Sequence, residues 1–362
     1  MEQVSTISGS ANTPSKTAAQ QTYGERSFLL ALLVCTWIPV LFFLLLAPPD
    51  SATGSLAGIK TVFLFLGTAH VPATLFFYSD KTFRGVISRH RLRYIVVPVL
   101  LIVATGILFA VLNATGQALL LLTYWAWQAF HYGRQNIGVY AFASIAESGT
   151  APLRVEKLAI DFGTILGILG TFKILGATTA PTFLHQHFDL LYKVGAIAFI
   201  AVAGFSLVIY FKLFQRMTLL KTLFFFTSVF FFLPVFLSTQ MNVAFLSYAI
   251  AHGLQYLVFM SIVSVKATDG EQSRSISYRG ILTLSVLVFV AGFAFWRVGD
   301  LSSFGVINTS ASLTVLANFL FGAVLGATMS HFVVDASAWK LSLAPQRAYI
   351  TKRFDFIFNK RR

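Results

Sequence analysis

The chain has 362 residues, 56% of them hydrophobic, 15% aromatic and only 11% charged, with a mean hydropathy of +0.75 and a formal net charge of +14. Soluble domains carry about 25% charged residues, so this composition excludes a soluble globular fold and describes an all-α, polytopic membrane protein built as one helical bundle. Nucleic acid is set aside as a partner: basic loops beside membrane spans meet anionic lipid headgroups instead.

Taken in chain order, residues 1–25 are rich in Ser, Thr, Ala and Gln and read as a disordered N-terminal tail. Apolar runs of about 20 residues, each long enough to cross a bilayer, follow at 27–47, 59–78, 93–112, 117–140, 158–177, 190–211, 219–238, 241–265, 280–297 and 312–335. The expectation is therefore about ten transmembrane helices in a single domain over 26–340, followed by a basic C-terminal tail over 341–362. The first run is too long for a removable signal peptide and has no small-residue cleavage site. It also holds Cys35, the sole cysteine, which has no partner for an intramolecular disulfide.

With the N-terminus inside, all 27 basic residues except Lys60, Lys173, Lys193 and Arg297 fall in inner segments, the asymmetry the positive-inside rule requires. Both termini are accordingly expected in the cytoplasm. SRHRLR at 88–93 reads as a headgroup anchor for anionic lipids. Gly163, Gly167 and Gly170 in the fifth run are spaced for close helix contact. The Phe-rich seventh run, LFFFTSVFFFLP, carries no polar group suited to chemistry and reads as lipid-facing or structural filler. No internal repeat is evident, which weighs against a transporter built from repeats.

Four histidines interrupt the apolar runs: His70, His131, His252 and His331. Ionisable residues at membrane depth face the bundle interior and serve a function. All four lie on even-numbered runs, which travel from outside to inside. His70 precedes Lys81 by eleven residues, His252 precedes Lys266 by fourteen and His331 precedes Lys340 by nine. At about 1.5 Å per residue these offsets agree to within about 8 Å; His131 is only three residues before Arg134, but its run continues apolar to about Phe142, so all four imidazoles are expected at similar height in the cytoplasmic half of the membrane, as in bundle metal sites. Neutral imidazole suits iron, copper, zinc and nickel.

Metal-bound histidines donate their second ring proton to a neighbouring acceptor. Candidates stand one helical turn away: Asp335 for His331, Gln128 and Gln135 for His131, Gln255 and Tyr256 for His252, and Thr74 for His70. Asp335, Gln135, Gln255 and Tyr256 are the candidate catalytic residues. Asp335 is alternatively a solvated partner of Lys340. Tyr124, Trp125 and Trp127 are either packing or the wall of an apolar pocket, and Pro72 is placed to kink the helix after His70. His185 and His187, in FLHQHFD, fall on the opposite side of the membrane and are not part of the set.

The islands AHVPAT, FHYGRQN, AHGLQYL and SHFVVD, in that order, resemble the histidine motifs HGALD, HFGxAD, HSxxHF and PHxxxxD of the Brp/Blh family of bacterial and archaeal membrane proteins, described as β-carotene 15,15′-dioxygenases. His70, His131, His252 and His331 match the first histidines of those motifs. The third island lacks the second histidine, and Asp335 follows His331 by four residues where the family motif has five. The resemblance implies a multi-pass protein of a bacterial inner membrane and an iron(II)-dependent oxygenase, with dioxygen and a lipophilic isoprenoid, carotenoid or acyl-lipid substrate as partners. Two alternatives come from other classes. One is a haem-binding electron-transfer protein with axial histidines; the other is a transporter using a His/Asp relay.

Overall fold

The structure, a computed structural model, describes residues 16–46, 54–179, 182–240, 242–266, 276–303 and 311–358. No strand occurs among them. Sixteen α-helical segments are present among the described residues. The first six are α1 (Lys16–Leu46), α2 (Gly54–Ala73), α3 (Phe76–Ser79), α4 (Lys81–Arg89), α5 (Val97–Val111) and α6 (Ala114–Ser148). They are followed by α7 (Arg154–Thr179), α8 (His185–Leu213), α9 (Leu219–Val229), α10 (Leu233–Leu237) and α11 (Ser247–Val265). The last five are α12 (Tyr278–Val286), α13 (Gly292–Ser303), α14 (Ala311–Ala338), α15 (Ala344–Arg353) and α16 (Asp355–Phe358).

Eight helices among the described residues are long and apolar enough to cross a membrane, making this a multi-pass membrane protein. The fourth and seventh of the ten expected runs are the two that fall short. In α6, 35 residues long, Gln128, His131, Arg134, Gln135 and Asn136 dilute the apolar sequence. The seventh run is interrupted: α9 stops at Val229, and the chain turns through Phe230–Phe232 before the five residues of α10.

The seventh run is also not simply lipid-facing. Phe224, Phe225, Phe231 and Phe232 are buried, Thr227 accepts the Trp37 indole N–H at 3.1 Å, and Ser228 donates to the Asn136 carbonyl at 3.4 Å. The glycine stripe of α7 is what admits this segment. A Cβ on Gly163 would stand 2.6 Å from the Val229 carbonyl oxygen, and one on Gly170 would stand 3.0 Å from the Phe236 ring. Close backbone approach of this kind is the usual role of small residues between helices in lipid.

The helices around the histidines are packed in a fixed order: α14 lies along α5, α1 along α11, and α11 along α2, with α6 against α7 and α14. Two ends are defined locally. The Asn113 side chain caps α6 by accepting from Gly116 N at 2.9 Å, and Gly149, at φ 66°, ends it in the left-handed region that glycine tolerates. Asp80 caps α4 in the same way, accepting from Thr82 N and Phe83 N.

At the termini the structure departs from expectation. Residues 1–15 of the expected N-terminal tail lie outside the described residues, and from Lys16 the chain is already helical. The basic C-terminal segment is folded against the bundle. Tyr349 and Ile350 of α15, Phe354 at its end and Ile357 of α16 are buried in the main core beside Phe28, Phe83, Phe142 and Phe259. Charge had hidden an apolar face that recurs every three or four residues. Arg353, itself one of the basic residues, is buried and pairs with Asp80 at 2.6 Å.

Candidate metal centre

Each of the four histidines sits on a different helix, α2, α6, α11 or α14, and all four are buried, with 5%, 6%, 0% and 3% exposure for His70, His131, His252 and His331. Their rings form a closed quadrilateral. The sides are His70–His252 at 4.9 Å, His252–His131 at 4.9 Å, His131–His331 at 5.2 Å and His331–His70 at 4.8 Å between centroids; the His252–His331 diagonal is 6.4 Å. Separate helices therefore bring four imidazoles around one point. One ring atom from each of His70, His252 and His331 lies within 4.8 Å of the others, and the same holds for His131, His331 and Asp335.

Pro72 produces the first part of this geometry. It ends α2 one residue later, and the chain tightens into turns with Thr74 N bonded to the Val71 carbonyl and Leu75 N to that of Pro72. Within α2 the His70 Nδ1 is hydrogen-bonded to the Gly67 carbonyl. A carbonyl only accepts, so this nitrogen carries the proton and Nε2 presents its lone pair. Thr74, in the turn, reaches across to His331 Nδ1 at 2.5 Å and to the Tyr256 hydroxyl at 2.9 Å. Both histidines are thus held by Nδ1 and turn Nε2 inward.

Close packing of α11 on α2 is the second requirement. A Cβ at Gly253 would stand 2.8 Å from the Gly67 carbonyl oxygen and 2.9 Å from His70 Nδ1, so only glycine lets His252 come this near. Two aromatic rings fix the remaining imidazoles. The Tyr132 ring lies 4.1 Å from that of His252 at 34°, and Phe332 stacks on His131 at 4.4 Å and 23°. The Asp335 carboxylate stands beside the cluster, its Oδ2 at 3.9 Å from His131 Nε2 and 4.0 Å from His331 Nε2, while Oδ1 accepts from the Trp339 indole at 3.2 Å.

The Nε2 atoms of His70, His131, His252 and His331, and Nδ1 of His252, are buried without a hydrogen-bond partner. Leaving a buried polar atom unpaired costs about 1–3 kcal/mol, and here five such atoms belong to one cluster of four rings. Two nitrogens on opposite sides of a metal, each about 2.1 Å from it, stand about 4.2 Å apart. The separations within 4.8 Å are therefore close to what one shared ion requires, and the donor set fits a transition metal.

Of the other candidates, Asp335 and Tyr256 reach the cluster, whereas Gln135 and Gln255 stand behind it. Gln135 Nε2 donates to the His252 carbonyl at 3.0 Å and to Gln255 Oε1 at 3.1 Å; Gln255 Nε2 donates to Thr36 Oγ1 at 2.7 Å. Neither amide holds an imidazole proton. Gln128 donates to the Tyr132 hydroxyl at 2.6 Å rather than to His131, and Thr74 serves His331 rather than His70. Asp335 is buried while Lys340 is exposed, so the solvated pair between them is not formed. Tyr124 is buried near Phe332, with Trp125 and Trp127 packed beside it, as a packed apolar cluster.

Tyr132 and Phe332 complete the centre but carry no signal of their own in the sequence, because their contacts with His252 and His131 cross between helices; Gly67 and Trp339, one turn from His70 and Asp335, were also missed. His185 and His187 start α8 away from the cluster, where Asp189 pairs with Lys173. Compared with protein-family models, with curated proteins and with solved structures, the chain matches none.

Proposed function

We propose that this protein is an integral membrane metalloenzyme of a bacterial inner membrane, an iron(II)-dependent oxygenase acting on a lipophilic substrate. The observation that carries the reading is the set of four buried imidazoles from four helices whose inward nitrogens have no protein partner. His70, His131, His252 and His331 would hold the metal, with Asp335 at its edge. A ferrous ion on such neutral ligands would supply the means to activate dioxygen, which is concentrated in the hydrocarbon around the bundle. The islands that resemble the Brp/Blh family make oxidative cleavage of a polyene double bond the specific reaction, with ten spans and both termini in the cytoplasm.

The chain's own residues have separable tasks. Gly67 fixes the protonated nitrogen of His70 and Thr74 holds Nδ1 of His331, so that both rings turn Nε2 inward. Phe332 and Tyr132 hold the other two rings by stacking and close the site to water. Asp335 and Tyr256 are the groups placed to hold or pass a proton at the cluster. The basic residues that flank the spans would meet anionic lipids. A porphyrin between any two of these imidazoles would collide with the other two, since all four rings lie on a quadrilateral with sides of 4.8–5.2 Å; this favours a non-haem ion.

The test is to purify the protein in detergent, assay bound metals, and incubate the iron form with β-carotene under ¹⁸O₂. Labelled aldehyde is the expected product. Iron-bound protein that yields none would remove the polyene-cleaving assignment and leave the metal site.

A further inference from the structure

His70 and His331 are both held by Nδ1, but by unlike partners. The Gly67 carbonyl behind His70 can only accept, so its chemistry alone fixes the proton on that nitrogen. Behind His331 stands a hydroxyl, which donates as readily as it accepts. Thr74 Oγ1 lies 2.5 Å from His331 Nδ1 and 2.9 Å from Tyr256 Oη. The Tyr256 hydroxyl is hydrogen-bonded in turn to the Asp335 carboxylate.

His331, Thr74, Tyr256 and Asp335 are all buried, with 5% exposure or less, so each hydrogen of this chain finds its acceptor inside the protein. Each hydroxyl has one proton to give, which leaves two orders. In the first, His331 Nδ1–H donates to Thr74, Thr74 to Tyr256, and Tyr256 to Asp335. In the second, every bond runs backward: Thr74 donates into His331 Nδ1, and the proton of the neutral ring sits on Nε2. That order puts a proton where the cluster needs a lone pair. Asp335 selects the first, since a carboxylate accepts and has no proton to return, and the Trp339 indole holds its Oδ1 at 3.2 Å.

We propose that Tyr256 is a positioning residue for the metal, which acts through Thr74 to keep His331 in the Nδ1-protonated tautomer, with Asp335 as the acceptor that gives the chain its direction. The inference rests on the proposed metal site and deepens it: Tyr256 and Asp335 act from behind one ligand, and the chain ties α2, α11 and α14 together at that point.

The experiment uses full-length protein in detergent and two ions. Iron(II) affinity is measured by anaerobic competition with a chelator; zinc(II), a diamagnetic ion that imidazole also binds, serves nitrogen-15 NMR of histidine-labelled protein. Tyr256→Phe keeps the ring, removes only the hydroxyl and should elute as wild type. It should weaken iron affinity about tenfold, the lower end for supporting groups. Thr74→Val/Tyr256→Phe should bind no more weakly than Thr74→Val alone, because both changes act through one chain. In the zinc form the His331 Nδ1 proton should move upfield in Tyr256→Phe, since hydrogen bonds in a chain polarise one another, while the His70 Nδ1 proton stays in place. Tyr248→Phe is the control: it deletes another buried phenol hydroxyl of α11, one bonded to Thr171 at 3.1 Å, and should leave both measurements as in wild type. Wild-type iron affinity in Tyr256→Phe, losses that multiply in the double variant, or a His331 proton that does not move would each overturn the proposal and leave the metal site standing. Wild type that binds neither ion would remove the metal site and the role of this chain with it.

Discussion

Two kinds of buried polar cluster occur in this bundle, and the contrast between them separates structure from function. Where α4 meets α15, the Asp80 carboxylate accepts from Thr82 N at 2.8 Å, Phe83 N at 3.1 Å, Tyr349 Oη at 3.1 Å and Arg353 at 2.6 Å, and the Arg353 guanidinium lies 3.9 Å over the Tyr349 ring. Where α6, α7 and α9 meet, Glu156 accepts from Tyr140 at 2.5 Å and Leu153 N at 2.5 Å, with Lys221 at 3.4 Å. Both carboxylates are saturated with partners. The imidazole cluster, buried as deeply, leaves five ring nitrogens with none. Saturated groups lock helices together; the unpaired ring nitrogens are the ones available to the metal we propose.

The largest expected effect breaks the unsaturated cluster. Alanine at His331, which belongs to both donor triads, should reduce bound metal to background while the protein still inserts and elutes as a folded particle; elemental analysis of the purified variant checks this. Alanine at the other three histidines should act in the same direction.

The Asp80 carboxylate should respond in the opposite way. Asp80→Ala leaves the Arg353 charge buried and unpaired and should cost about 3–5 kcal/mol, seen as a lower melting temperature in detergent, with bound metal per folded chain unchanged. Burial, the main cause, raises the Tyr349 phenol well above its ordinary range, so it stays a neutral donor to Asp80. Accordingly, Tyr349→Phe should lower stability without introducing a new pH dependence between pH 6 and pH 9.

Smaller changes sharpen the boundary between the two kinds. Thr74→Val removes the hydroxyl that holds His331 Nδ1 and should weaken metal affinity about 10–100-fold, the usual range for such supporting groups, with recovery in Thr74→Ser; competition with a chelator measures it. Smallest is Gln255→Leu, which strips a partner from Gln135 and Thr36. It should cost about 1–3 kcal/mol of stability by thermal denaturation, with metal affinity nearly unchanged, since its amide touches no imidazole nitrogen.

The histidines were legible in the sequence because an ionisable ring in an apolar run is costly enough to need a reason, and the fold brings their rings together at 4.8–6.4 Å between centroids. The glycine stripe of α7 was legible for the same kind of reason, through its spacing. Which atom holds which ring was not: Thr74 was paired with the histidine on its own helix, but the turn that Pro72 imposes sends its hydroxyl to another. The docking of α15 and α16 was hidden because Arg347, Lys352 and Arg353 give the segment the look of a solvated tail, and only the fold shows that Arg353 answers Asp80. The interruption of the seventh run was equally unreadable, since its Phe residues suit a lipid-facing helix as well as a buried break.

X-ray absorption at the metal edge of wild-type protein tests the central claim most directly. The account predicts a first shell dominated by imidazole nitrogens at about 2.0–2.2 Å, with the multiple-scattering pattern of about four rings. Protein that retains no metal when purified from metal-replete cells, or a shell made of sulfur or water oxygen without imidazole, would contradict it.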